Sequence, residues 1–203
     1  MASLSSLSFL LATLLTQGSC LICVTCRGPG TNCAGMSRTC EETEDTCFSA
    51  VGINSLLSNK TTETVKLCSD RTDCQAGSVS VTFNSENHFW LIINCCQGDL
   101  CNKKLDIPAK NTTLNGLTCP ACFGIGLDQC EVDGSLNCVG EENRCITASG
   151  TMTTGGDPMP IASRGCSSAS ACALPVDTNL YSAGITFRLK KIGCSPAVRA
   201  IST

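Results

Sequence analysis

The chain has 203 residues and a net charge of −3, and aromatic residues make up 4% of it against 19 cysteines. So few large side chains cannot fill one ordinary hydrophobic core; the composition is that of small domains held by cross-links. The weak acidic balance leaves no basic footprint for nucleic acid and no polybasic membrane patch.

Residues 7–15 form a short apolar run followed by Gln17, Gly18, Ser19 and Cys20. Too short to span a bilayer, the run predicts a secretory signal peptide over residues 1–20, although no Lys or Arg precedes it. Cleavage after Cys20 leaves 18 cysteines, an even number, whereas cleavage after Gly18 or Ser19 strands one thiol. A lipid-modified Cys20 is the alternative. Ten cysteines follow: Cys23, Cys26, Cys33, Cys40, Cys47, Cys68, Cys74, Cys95, Cys96 and Cys101. Among them, residues 64–67, 78–83 and 89–93 are short segments rich in β-branched or aromatic residues, bounded by turn formers, and predict strands. Asn59-Lys60-Thr61 is a glycosylation sequon, as is Asn111-Thr112-Thr113.

Residues 105–116 contain Pro108 and Gly116 but no cysteine, and read as a linker between a first domain, 21–104, and a second, 117–203. The second holds Cys119, Cys122, Cys130, Cys138, Cys145, Cys166, Cys172 and Cys194, with one more predicted strand at 184–189. The C-terminus lacks the hydrophobic tail of a glycolipid-anchor signal. The mature chain is therefore expected to be extracellular and without a membrane anchor. Matching cysteines of the two series stand 96 to 99 residues apart, and Glu44-Asp45-Thr46-Cys47 recurs as Glu142-Asn143-Arg144-Cys145. So small a drift marks an internal duplication.

The Leu-x-Cys-x-x-Cys opening, the adjacent Cys95-Cys96 and the closing Cys101-Asn102 resemble the three-finger domain of the lymphocyte-antigen-6 and urokinase-receptor family. The resemblance implies an all-β fold of two tandem, disulfide-rich, snake-toxin-like domains. It also implies a connectivity that spacing alone leaves open. The implied pairs are Cys23–Cys47, Cys26–Cys33, Cys40–Cys68, Cys74–Cys95 and Cys96–Cys101, then Cys119–Cys145, Cys122–Cys130, Cys138–Cys166 and Cys172–Cys194. The second domain departs from the pattern, with neither an adjacent cysteine pair nor a terminal Cys-Asn. Its opening Asn115-Gly116-Leu117-Thr118-Cys119-Pro120-Ala121-Cys122, the tandem arrangement and the shortened end resemble the gamma-type phospholipase A2 inhibitors. That likeness implies a secreted protein, with no cofactor, that inhibits secreted phospholipase A2 by stoichiometric binding and self-associates. The alternative is a soluble ligand or adhesion partner of a cell-surface receptor.

No motif of catalysis stands out. His88 is the only histidine and has no marked nucleophile beside it, so it reads as a strand-end residue. The two Cys-x-x-Cys pairs could be redox or zinc motifs, but an oxidising compartment favours structural disulfides. The acidic run at residues 41–45 could take a cation or a basic partner, or be a solvated loop. Arg188, Lys190, Lys191 and Arg199 could meet an acidic partner, or line a solvated edge strand. Strand side chains alternate between faces. If Cys95 points inward with Phe89, Leu91 and Ile93, then Trp90 and Ile92 point outward. They are the candidate partner-binding residues, unless they pack against the companion domain.

Overall fold

The computed structural model describes residues 20–56, 60–177, 179–182 and 184–200. The predicted signal peptide lies outside them except for Cys20, which is an exposed free thiol.

Each half is built from three hairpins. The first half has β1 (Ile22–Pro29) with β2 (Met36–Thr39), β3 (Thr46–Asn54) with β4 (Thr61–Ser69), and β5 (Gly77–Thr82) with β6 (His88–Cys96). The second repeats this with β7 (Leu114–Ile125) and β8 (Gly134–Val139), β9 (Arg144–Thr153) and β10 (Met159–Ser167), and β11 (Asn179–Ser182) and β12 (Ile185–Pro196). A 3-10 turn at Ala169–Ala173 precedes β11, and a short β13, Val198–Arg199, returns to β7. Among the described residues the molecule is all-β apart from that turn, two tandem three-finger units. Alternation sets the faces: in β9, Ile146, Ala148 and Met152 are buried in turn, while β-branched threonines lie between them.

The structure joins Cys23 to Cys47, Cys26 to Cys33, Cys40 to Cys68, Cys74 to Cys95 and Cys96 to Cys101. In the second half it joins Cys119 to Cys145, Cys122 to Cys130, Cys138 to Cys166 and Cys172 to Cys194. The two bases are knots of buried cysteine with little else: Cys23, Cys40, Cys47 and Cys68 in one, Cys119, Cys138 and Cys166 in the other. Where the second half lacks the Cys96–Cys101 ring, backbone closes the end instead. Ala197 donates to the Asn143 carbonyl and Ala200 to that of Gly116. Asn102, buried, closes the first half by bridging Val24 and the Phe48 carbonyl.

The apolar core belongs to neither half alone. Leu56, Val79, Val81 and Phe83 meet Ile146, Met152, Ile161, Ile185 and Phe187 in one cluster. Of the six phenylalanines, four are at this junction, with Phe83 stacked on Phe123 at 5.3 Å and Phe89 edge-on to Phe187 at 6.3 Å. Burying each such side chain contributes roughly 1.5–3 kcal/mol. The scarce large side chains thus hold the halves together, while the cysteines hold each half.

β5 makes the junction. Its edge pairs with the end of β10, Thr82 opposite Cys166 and Val81 opposite Ser167, so both halves share one continuous sheet. Gly165 permits this approach, because a Cβ there would collide with the Thr82 carbonyl. Cutting the chain within residues 105–112 is therefore expected to leave the halves associated without reduction. Size-exclusion chromatography should show one particle in native buffer and two fragments in denaturant. Separation in native buffer would contradict a shared core.

Candidate binding surfaces

Both faces of β5 serve the junction. Val79 and Val81 enter the apolar cluster, and the alternating hydroxyls of Ser78, Ser80 and Thr82 face the other way. There Ser78 meets Glu141, and Ser80 and Thr82 meet Glu142, which is 0% exposed. One carboxylate oxygen accepts from Ser80 Oγ at 2.6 Å and Thr82 Oγ1 at 2.7 Å, with Lys110 Nζ at 3.7 Å. The other accepts from the Val139 N–H at 3.3 Å. Glu44, its counterpart in the first half, accepts the matching turn bond from the Glu41 N–H at 2.9 Å but reaches only the exposed Arg38 beyond it. The duplicated glutamate thus caps a turn in both copies and, in the second, also anchors the junction. The only signal of it in the sequence is the recurring Glu itself, which says nothing of Ser80 and Thr82.

The strand carrying Trp90 alternates as expected, with Phe89 and Leu91 packed against the junction core and Trp90 and Ile92 on the opposite face. That face is not free. Trp90 is 6% exposed and Ile92 5%, so the expected outward patch is corrected. Residues 108–110 of the linker stand beside the indole, and Val139 and Glu141 of the companion domain line the same space. On the same side of the sheet Lys66 is only 2% exposed and donates to Asn32 Oδ1 at 2.8 Å and the Lys103 carbonyl at 3.1 Å. Burial holds its pKa below the usual lysine range.

His88 does have a hydroxyl neighbour, Ser55 Oγ, 2.9 Å from Nδ1. The same oxygen accepts the His88 N–H at 3.0 Å and bonds the Glu86 carbonyl, so it clamps the β6 start to the loop after β3. Burial, then Lys110 and Lys60, push the imidazole pKa below its ordinary value against the opposing pull of Glu142.

The remaining candidates are placed as follows. The acidic run is largely met from within: Arg38 pairs with Glu41 and Glu44, and Arg71 with Asp45. Cys23, Cys26, Cys119 and Cys122 enter four separate disulfides. Arg188 sits where β12 has β11 on one side and β9 on the other; only past it is β12 an edge, carrying the exposed Lys190 and Lys191. Arg199 is exposed on β13, which pairs with β7. Asn111 is exposed, and Asn59 lies outside the described residues. Sequence reasoning did not single out the bare apolar side chains of the first fingers. Met36 is 82% exposed on β2, and Leu127 and Val132 are exposed between β7 and β8.

Disulfide-knotted bases, six hairpin fingers and one junction core define a tandem three-finger protein. The u-PAR/Ly-6 domain family model matches residues 19–104 and 115–195, and the chain belongs to that family. It is 33% identical over 192 residues to a gamma-type phospholipase A2 inhibitor of Gloydius brevicaudus siniticus, covering 92% of each chain. It is 31% identical over 170 residues to the phospholipase A2 inhibitor NAI of Notechis ater, covering 81% of this chain and 82% of that one. The urokinase plasminogen activator surface receptor of Bos taurus is 28% identical over 158 residues, covering 75% of this chain and 46% of the receptor.

Proposed function

We propose that this protein is secreted and inhibits secreted phospholipase A2 by stoichiometric binding, without chemistry of its own. The observation that carries this reading is the likeness to the gamma-type inhibitor of Gloydius brevicaudus siniticus along 92% of both chains. The architecture supports it: nine disulfides and a shared sheet hold the fingers in place before encounter, which lowers the ordering cost of association. Trp90 and Ile92, being buried, are poor contacts for a partner. Met36, Leu127 and Val132 are the better candidates, large apolar groups already presented to solvent.

The test is a titration of purified protein against a panel of secreted phospholipases A2, read as phospholipid hydrolysis. Inhibition is expected to saturate at a fixed molar ratio and to vanish on reduction. Met36→Asp together with Leu127→Asp should weaken binding at least about tenfold if either is an anchor. No binding and no inhibition at micromolar protein would sink the reading in favour of a soluble ligand or adhesion partner of a cell-surface receptor.

A further inference from the structure

A groove of about 1190 Å³ runs between the linker and the β3–β6 face of the first half. Ile53 and the 6% of Trp90 that is exposed line it from the sheet, and Leu105 and Ile107 from the linker. Around these apolar groups stand Lys60, Lys103, Lys104 and Lys110, against a single lining carboxylate, Asp106. In a chain of net charge −3 this is a local reversal of sign. Lys110 is engaged with Glu142, but among the described residues Lys60, Lys103 and Lys104 have no carboxylate within ion-pair distance. Buried Lys66, bonded only to neutral oxygens of Asn32 and Lys103 in the groove wall, adds a further positive charge behind it.

We propose that this groove binds a single-chain anionic amphiphile, a carboxylate or phosphate head on one acyl tail. Ammonium groups beside an apolar floor match a charged head joined to a hydrocarbon tail. An added peptide strand fits worse. The floor strands have both edges taken, β3 by β4 and β6, and β6 by β3 and β5. They leave no backbone groups for an extended chain to pair with. The proposal is independent of the inhibitory reading, and its test contains no enzyme.

The chain supplies two reporters, because Trp90 is its only tryptophan and His88, also in the groove, its only histidine. The whole oxidised protein is titrated, below their micelle concentrations, with oleate and with oleoyl lysophosphatidic acid. Zwitterionic oleoyl lysophosphatidylcholine and an oligoglutamate peptide serve as comparators. Both anionic lipids should change Trp90 emission saturably at one per chain. They should also move the His88 imidazole pKa upward, since a bound anion offsets the field of Lys60 and Lys110. The zwitterion should bind at least about tenfold more weakly, and a K60Q/K103Q/K104Q variant should lose about tenfold for the anions alone. These three lysines are exposed, so the variant keeps its fold, and unchanged near-ultraviolet dichroism verifies that. Three results would each overturn the proposal: no saturable response, equal binding of anion and zwitterion, or a fluorescence change without movement of His88. Tighter binding of the oligoglutamate peptide than of either lipid would make the groove a protein-docking site and overturn it as well.

Discussion

Replacing Glu142 with alanine is expected to destabilise the protein by about 3–5 kcal/mol, the range for removing one member of a buried charged set. The carboxylate is wholly buried and is the acceptor for Ser80, Thr82 and the Val139 N–H, with Lys110 at 3.7 Å. Its loss leaves two hydroxyls from the first half without that acceptor and removes the counter-charge of Lys110. Glu142→Gln keeps the shape but loses the charge and sets an amide donor where one carboxylate oxygen accepted, so a cost of about 1.5–3 kcal/mol is expected. Glu44→Ala provides the control. That glutamate caps the equivalent turn but is partly exposed and touches nothing across the junction. Its cost should stay near about 1 kcal/mol. Urea unfolding with disulfides intact measures all three. A Glu142→Ala change below about 1 kcal/mol, the worth of one ordinary hydrogen bond, would show that the junction rests on its apolar cluster alone.

The second large effect concerns which cross-link matters most. Cys138–Cys166 closes a 28-residue separation with both residues 0% exposed, and Cys26–Cys33, both half-buried, closes a separation of 7 in a mostly exposed segment. Loop entropy alone assigns about 3.6 kcal/mol to the first and about 2.4 to the second. The gap should be wider in practice, because Cys166 also stands opposite Thr82 where the halves join, so its removal loosens the junction along with the base. Paired cysteine-to-alanine variants compared by urea unfolding test this. A gap of only about 1.2 kcal/mol would mean that neither burial nor position at the junction adds to the loop term.

The strands and the duplication were legible because they are local or periodic. Ser78-Val79-Ser80-Val81-Thr82 alternates visibly, and β5 spans it. The cysteine pairing came through the family layout, since spacing leaves many connectivities open. Alternation also put Trp90 and Ile92 on the face opposite Phe89 and Leu91. What failed there was the inference from face to solvent: a strand has two faces, and a returning linker and a companion domain can both border the second. No local pattern in residues 105–116 reveals that return, which depends on contacts with a sheet laid down far earlier in the chain. The same holds for Glu142. Its partners Ser80 and Thr82 lie some 60 residues upstream, and a glutamate read as a landmark of the repeat gives no hint of burial.

The edge pairing of β5 with β10 bears on how such a chain can change over generations. Duplication ordinarily yields modules that can be lost, reordered or traded between paralogues. Here a transplanted second repeat would have to bring a glycine at the place of Gly165 and a carboxylate at the place of Glu142. It would also have to receive a strand offering hydroxyls on one face and valines on the other. The two copies are thus bound to diverge as one heritable unit. Their fingertips remain free to vary, while the stretch that joins them does not.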